Sequence, residues 1–220
     1  MNWLIQNAEI IGTAAGFVCV WLIVRQHIVN WPLGIINNVF FLIVLAQDRL
    51  YANVGLQVVF IALGFYGWWQ WLYGGANRTE LPVSRLRPVY WVLYSALWLC
   101  GTVLFAWTLQ EFARYMGFAP PDYVVWDSSI FAASLIAQWM LTWKKIEHWW
   151  VWIVTVNISQ VFLFSIKGRY WMAGLQIAYI ILSVQGYLAW RKDLDAGNHA
   201  AIGGNGAGAD VVNAEARGAL

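Results

Sequence analysis

Seven apolar segments follow one another along this chain, and each is about long enough to cross the ~30 Å hydrocarbon core of a bilayer as a helix. Lipid offers no hydrogen-bond partner to an open backbone, so the helix is the default structure for such segments. Short polar breaks separate most of them. The predicted spans are residues 6–24, 29–47, 52–73, 88–110, 123–143, 149–166 and 170–190.

The composition also favours a membrane protein over a soluble domain. Apolar residues make up 61% of the 220 residues and charged residues only 11%, which is less than half the usual charged share of a soluble domain. A soluble core of this size cannot bury so much apolar surface. The first apolar run lacks the basic start and the cleavage site of a secretory signal, so we predict that it is retained as a span.

The lysines and arginines of the loops predict the orientation. If the spans alternate in direction, one side of the membrane carries four of these residues and the other carries nine. The second side is therefore predicted to be cytoplasmic, with the N-terminus outside and the C-terminus inside. The two groups are Arg49, Arg114, Lys167 and Arg169, and Arg25, Arg78, Arg85, Arg87, Lys144, Lys145, Arg191, Lys192 and Arg217.

The chain contains an internal repeat. YANVGLQVVF (51–60) resembles YWMAGLQIAY (170–179), and ten of 41 positions are identical when 31–71 is aligned with 150–190. Chance would give roughly three or four matches at this composition. The identical pairs are Trp31/Trp150, Asn38/Asn157, Tyr51/Tyr170, Gly55/Gly174, Leu56/Leu175, Gln57/Gln176, Ile61/Ile180, Leu63/Leu182, Gly67/Gly186 and Trp71/Trp190.

The repeat predicts an all-α integral membrane fold of seven transmembrane helices, in which two parallel three-helix repeats are joined by a linker helix (3+1+3). Parallel repeats of this kind occur in secondary transporters, with a substrate path between the halves. The predicted units are a first bundle (1–87), the linker helix and its loop (88–122), a second bundle (123–193), and a Gly/Ala/Asn-rich tail (194–220) that is predicted to be disordered.

Polar side chains inside the spans indicate which faces line that path, because they are costly unless they meet protein, water or substrate. Carboxamides both donate and accept hydrogen bonds, and aromatic rings can stack on a flat ligand or attract a cation. Asp127 is the one carboxylate well inside a predicted span. The polar and aromatic stripes comprise Asn53, Gln57, Phe60, Gly64 and Trp68, then Met172, Gln176, Tyr179, Ser183 and Tyr187, with Trp31, Asn38, Trp150, Thr155, Asn157 and Gln160.

Structural roles compete with binding at each of these positions. Gln57 and Gln176 could bond across helices, and most tryptophans could anchor the membrane interface. The repeated glycines favour close helix approach. Asp127 suits the first turn of a helix. The cysteines and histidines show no metal-ligand spacing, so no metal site is assigned.

The Trp-rich run NWPLGIINNVFFL (30–42), the segments DRLYANVGLQ and GFYGWWQW, and the later WWVWIVTVN and GRYWMAGLQIAYIILSVQGYLAWRKD resemble the PnuC family of bacterial nicotinamide riboside transporters. The resemblance covers about residues 5–193. It implies a SWEET-like fold in the bacterial inner membrane and facilitated diffusion by alternating access, without a cofactor or nucleic acid. It also implies that a cytoplasmic kinase traps the vitamin, and it is compatible with a homotrimer.

The family resemblance assigns substrate contact to residues that match its pattern. The first group is Asn38, Gln57, Asn157 and Gln176, and the second is Trp68, Trp69, Thr155 and Tyr179. Asp127 is a candidate attractor for a positive ligand because of its position near the outer end of the fifth span, independently of the resemblance. Related members carry thiamine, riboflavin or nucleosides, so these substrates stay open. An enzyme is disfavoured because no catalytic constellation lies in the spans, and a channel because no charged ring or filter motif is present.

Overall fold

The computed structural model describes the backbone of residues 14–47, 51–117 and 123–217, and the side chains of 14–43, 55, 57–117 and 123–196. The predicted residues 6–13 of the first span lie outside the described part. Helices dominate the fold. They are α1 (Ala14–Val24), α2 (Asn30–Gln47), α3 (Tyr51–Tyr73), α4 (Pro88–Met116), α5 (Val124–Thr142), α6 (His148–Ile166) and α7 (Tyr170–Arg217).

Four of these helices are long and apolar enough to cross a membrane: α4, α5, α6 and the Tyr170–Ala196 part of α7. Shorter apolar stretches are described in α1 and α2. In α4 only 11% of the apolar window is buried, against 28% to 39% in the other three. The prediction of an all-helical membrane chain is confirmed to this extent, and α4 is the least buried of the four.

The last helix continues past residue 194, where the sequence predicts a disordered tail. Its backbone is helical to Arg217. Its apolar, membrane-crossing part ends at Ala196. The side chains of 197–220 lie outside the described residues, so a separate tail stays a prediction.

Two turns with the same structure connect α1 to α2 and α5 to α6. Gln26 and Lys144 hold the matching positions, and both have left-handed backbones, with φ 52° and φ 46°. The Gln26 N–H donates to the Ile23 carbonyl at 2.9 Å, and the Lys144 N–H donates to the Leu141 carbonyl at 3.0 Å. The two turns therefore repeat at a spacing of 118 residues, from 26 to 144.

A π-helical stretch in α6 changes this spacing from 118 to 119. It covers Val151–Asn157, and a π-turn holds one more residue than the α-helical path. Trp149 therefore takes the place of Trp31 before the stretch, and the two rings are 2% and 3% exposed. Trp150 is 46% exposed and packs on Tyr187 with ring centroids 5.2 Å apart. The sequence match of Trp31 with Trp150 is thus wrong in structural terms.

A cluster of buried aromatic and aliphatic side chains closes one end of the helices, and we call it the tryptophan cluster. Its members come from α2, α3, α5, α6, α7 and two loops. They are Trp31, Trp71, Leu81, Leu141, Ile146, Trp149 and Trp190.

Two hydrogen bonds cross this cluster in a reciprocal pattern. The Trp71 Nε1–H donates to the Leu141 carbonyl at the end of α5, and the Trp190 Nε1–H donates to the Ile23 carbonyl at the end of α1, both at 3.0 Å. Each of these carbonyls also accepts the backbone N–H of the following turn, so the indole is its second donor. The first three helices and the last three are joined here by matched contacts.

The loops at this end carry most of the positive charge. Lys144 is only 5% exposed, and its Nζ lies 4.5 Å from the centre of the Trp71 ring. Burial lowers the pKa of the Lys144 ammonium, while Glu80 and Asp193 act in the opposite direction. The Ser84 N–H donates to the Lys144 carbonyl at 3.1 Å, which ties the loop after α3 to the turn after α5.

Candidate functional site

A cavity of about 380 Å³ lies on top of the tryptophan cluster. Residues from α1, α2 and α3 line one side, and residues from α5, α6 and α7 line the other. Trp31, Leu141 and Trp149 belong to both the cluster and the cavity wall, so they form its floor. The polar lining residues are Asn30, Asn37, Asn38, Ser134, Gln138, His148, Asn157, Gln160, Gln176, Tyr179 and Ser183.

The lining mixes polar groups with a larger apolar surface and carries no formal charge. Among the described residues around the cavity there is no Asp, Glu, Lys or Arg. Carboxamides and hydroxyls provide most of the hydrogen-bonding groups, and Trp31, Phe60, Trp149, Trp152 and Tyr179 provide aromatic surface. Such a cavity suits a ligand with a flat ring and several hydroxyl or amide groups.

Three buried nitrogen atoms of the lining residues have no hydrogen-bond partner among the described residues. They are Nε1 of Trp31, Nε1 of Trp149 and Nε2 of His148. Leaving a buried donor or acceptor unpaired costs about 1–3 kcal/mol. The residues that carry these atoms line the cavity, so a ligand or a water molecule that reached the atoms would supply the missing partner.

Tyr179 reaches across the cavity from α7 to α1. Its ring centroid is 6.2 Å from that of Phe17. A Cβ atom at Gly16 would lie 2.9 Å from the Tyr179 hydroxyl oxygen, so the glycine leaves room for that group. The two helices are thereby brought together at the wall of the cavity.

The two halves contribute differently to the lining. Positions with small or apolar residues in the first half have larger or more polar counterparts in the second. The first half thus supplies room, and the second supplies most of the hydrogen-bonding groups. The corresponding pairs that line the cavity are Gly16 and Ser134, Val20 and Gln138, Gly34 and Trp152, Phe60 and Tyr179, and Gly64 and Ser183.

The structure brings four of the sequence-predicted site residues together at the cavity: Asn38, Asn157, Gln176 and Tyr179. Asn157 and Gln176 are buried, with 5% and 9% exposure. Gln57 is not among the lining residues, although its Oε1 is buried without a partner among the described residues. Its predicted contact with substrate stays a prediction.

The other predicted site residues lie away from the lining. Trp68 packs against the tryptophan cluster, and Trp69 is 56% exposed beside Tyr66. Thr155 is half-buried within the π-helical stretch. The Asp127 carboxylate lies in the first turn of α5, 3.9 Å from the Lys167 Nζ, which fits the structural alternative considered for it.

Sequence reasoning missed part of the lining. Ser134 and Gln138 lie on α5, outside the aligned repeat, but their spacing of four residues was a usable signal because it places them on one helix face. The sequence alignment matched Trp31 with Trp150, so it did not identify Trp149 as a lining residue. His148 lies at the end of a predicted span, where polar residues are common and do not indicate a binding site.

The chain is similar to known transporters over most of its length. A family model described as nicotinamide mononucleotide transporter matches residues 6–192. The nicotinamide riboside transporter PnuC of Escherichia coli (strain K12) is 28% identical over an alignment that covers 86% of this chain and 85% of that protein. The riboflavin/roseoflavin transporter RibM of Streptomyces davaonensis is 23% identical, covering 86% and 92% of the two chains.

A solved structure shares the fold. The crystal structure of the vitamin B3 transporter PnuC superposes with a TM-score of 0.63 at 24% identity, covering 88% of this chain and 83% of that one. The relatives carry the names of transporters, and the family model spans most of the chain. This chain belongs to the nicotinamide mononucleotide transporter family and is a multi-pass membrane transporter of a small molecule, not an enzyme.

Proposed function

We propose that this protein takes up nicotinamide riboside by facilitated diffusion and that the substrate binds in the cavity above the tryptophan cluster. The observation that carries the proposal is the lining, which combines carboxamides with aromatic rings and has no charged side chain among its described residues. Nicotinamide riboside presents a pyridinium ring, an amide and a ribose. Aromatic faces attract the cationic ring, and carboxamides match the amide and the hydroxyls.

The same lining favours the riboside over its phosphate, although the family description names the mononucleotide. Phosphate groups are bound most strongly by charge-assisted hydrogen bonds from arginine or lysine. The described lining has neither cation. Moving a phosphate from water into this cavity without a cationic partner would therefore cost far more free energy than its contacts there recover.

The transport cycle that we propose is alternating access between two parallel three-helix repeats, α1–α3 and α5–α7, with α4 as linker. The matched turns at Gln26 and Lys144 support the repeat. The reciprocal bonds of Trp71 and Trp190 support a two-part assembly with matched contacts at one end. The cavity between the halves would open to each side in turn.

The membrane setting follows from the loop charges. The closed end carries Lys144 and Lys145 and the loop after α3, which is the side that the positive-inside rule makes cytoplasmic. We therefore place the protein in the bacterial inner membrane with the N-terminus outside and the C-terminus inside. A cytoplasmic kinase that phosphorylates the riboside would trap it, and the family resemblance is compatible with a homotrimer.

A second candidate substrate is another ring-containing vitamin, thiamine or riboflavin. The name of the RibM relative, a riboflavin/roseoflavin transporter, is the observation that favours this alternative. Thiamine also combines a cationic ring with a second aromatic ring, which the same lining would accommodate.

Calorimetric binding to the purified protein in detergent separates these proposals. The ligand panel is nicotinamide riboside, its phosphate, thiamine and riboflavin. We expect nicotinamide riboside alone to bind, and binding to weaken about tenfold or more in Asn157→Ala because a buried hydrogen-bonding group is lost. Ser165→Ala is the matched control on the same helix, since its hydroxyl bonds only to the Val161 carbonyl.

Each of the other outcomes has a definite meaning. A preference for thiamine or riboflavin would retain the transporter and change the substrate. Binding of the phosphate as tight as that of the riboside would contradict the argument from the uncharged lining. If Asn157→Ala and Ser165→Ala lost the same amount of affinity for nicotinamide riboside, the proposal that the substrate binds in the cavity would be contradicted.

A further inference from the structure

The first turns of α2 and α6 hold a matched pair of buried side chains, Asn30 and His148. They are 4% and 1% exposed, and both line the cavity. The Asn30 Nδ2 donates to the His27 carbonyl at 2.8 Å. The His148 Nδ1 lies 2.7 Å from the Lys145 carbonyl, which is the same bond in the second half of the protein.

This contact determines the tautomer of His148. A carbonyl oxygen can only accept a hydrogen bond, so the proton must be on Nδ1. The ring is fully buried, and none of the salt bridges among the described residues involves it, so it is neutral. Nε2 is consequently a hydrogen-bond acceptor. It is buried and has no partner among the described residues.

The surroundings of this acceptor are aromatic. The His148 ring lies 4.5 Å from the ring of Trp149 and 4.9 Å from that of Trp190, measured between centroids. The indole N–H groups of Trp31 and Trp149 are unpaired donors at the same end of the cavity. This end therefore offers an acceptor and donors between flat apolar walls, which is the complement of a primary carboxamide on an aromatic ring.

The groups suited to a sugar lie farther along the cavity. Asn157 follows His148 by nine residues and therefore lies about two turns farther along α6. Asn38 and Gln160 also line the cavity. The separation between the aromatic end and the carboxamides matches a ligand with a ring at one end and a ribose at the other.

We propose that the His148 Nε2 accepts a hydrogen bond from the carboxamide N–H of the substrate ring and thereby selects a ring amide over a ring carboxylate or ketone. This inference rests on the proposed function and adds the part of the substrate that is recognised. A carboxylate has no N–H to donate, and its charge would face an acceptor lone pair in a buried site, so it is disfavoured twice.

The first test needs no variant. Binding of three ribosides to the wild-type protein in detergent is compared: nicotinamide riboside, nicotinic acid riboside, and 3-acetylpyridine riboside, which keeps the carbonyl and the ring charge but lacks the N–H. We expect the two analogues to bind at least about tenfold more weakly than the amide. Equal affinity of the 3-acetylpyridine analogue would overturn the inference while leaving the proposed function intact.

Two variants then assign the selectivity to His148. His148→Asn can keep both the bond to the Lys145 carbonyl and an acceptor, as Asn30 does in the first half, so the preference for the amide should remain within about threefold. His148→Leu removes the acceptor, and the ratio between the amide and the 3-acetylpyridine analogue should fall toward one. A ratio unchanged from wild type in His148→Leu would refute the assignment. Failure of the wild type to bind nicotinamide riboside would refute this inference and the proposed function together.

Discussion

At the scale of single residues, two glycines determine how the floor of the cavity is built. A Cβ atom at Gly67 would overlap the Trp31 ring, and one at Gly186 would overlap the Trp149 ring. Each glycine therefore lets an indole lie flat against the neighbouring helix. The two tryptophans are thereby held in place on the floor of the cavity.

This packing predicts opposite outcomes for two substitutions on α7. Gly186→Ala forces the Trp149 ring to move, and we expect it to destabilise the protein by about 1–3 kcal/mol and to weaken riboside binding. Gly174→Ala is the matched control, because nothing lies within 4 Å of its added Cβ atom. The control should be neutral or stabilising by up to about 1 kcal/mol, since alanine is the better helix former.

Thermal unfolding in detergent and calorimetric binding measure both effects. Gly67→Ala should reproduce the loss in the first half of the protein, where the Trp31 ring is displaced instead. If Gly186→Ala were as stable as Gly174→Ala, the tryptophan rings would have space that the structure does not show.

At the scale of elements, the π-helical stretch of α6 sets which side chains reach the cavity. It places the Trp149 ring on the floor and the Asn157 side chain in the wall, although the matching residues of α2 are connected by a regular helix. An α-helix turns by about 100° per residue, so a residue added to a regular helix would turn every later side chain to another face. The wider π-turns absorb the extra residue, and Asn157 therefore lines the cavity as Asn38 does in α2.

Deleting Val154 tests this role. Val154 lies within the π-helical stretch and is 55% exposed, so its own side chain contributes little to the core. The deletion should restore a regular helix in which Trp149 and Asn157 are seven residues apart, as Trp31 and Asn38 are in α2, so both side chains should stay in the cavity lining. We therefore expect the deletion variant to purify as a folded species and to bind the riboside like wild type. Deleting Ile36, which is 65% exposed on the regular helix α2, is the control, because no π-turn absorbs the change there and Asn38 should rotate by about 100° relative to Trp31, with loss of binding. Loss of binding in the Val154 deletion would contradict the argument.

The π-helical stretch also explains how far sequence reasoning could go. Periodicity predicts spans such as 29–47 and 170–190, and the helices at Asn30–Gln47 and from Tyr170 onward confirm their positions. The repeat predicted Asn157 and Gln176, which line the cavity. The two halves of the sequence were aligned at a single offset, which cannot represent an insertion within a helix. Trp31 was therefore matched with Trp150 instead of Trp149. The tautomer of His148 depends on a backbone carbonyl three residues away, which no residue pattern reveals.

At the scale of the whole molecule, the tryptophan cluster separates the cavity from the end that carries the positive loops. Trp71 bonds to the end of α5, and Trp190 bonds to the end of α1, so each half holds the other. In the proposed alternating-access cycle, both contacts would have to break before the cavity opens toward this end. The two indole hydrogen bonds are therefore expected to stabilise the state that is closed here, which is the cytoplasmic side in the proposed orientation.

Cys19 provides a natural reporter for this state. It lines the cavity from α1, whereas the other cysteine, Cys100, is exposed on α4. In a Cys100→Ser background, a membrane-impermeant maleimide applied to inside-out vesicles should label Cys19 slowly.

The double substitution Trp71→Phe and Trp190→Phe keeps the aromatic bulk and removes both donors, at about 1 kcal/mol each. We expect labelling from the cytoplasmic side to become about tenfold faster or more, because roughly 2 kcal/mol no longer favours the closed state. Saturating nicotinamide riboside should protect Cys19 in both proteins. If the rate of labelling were the same with and without the two donors, the indole hydrogen bonds would hold the fold together without controlling access to the cavity.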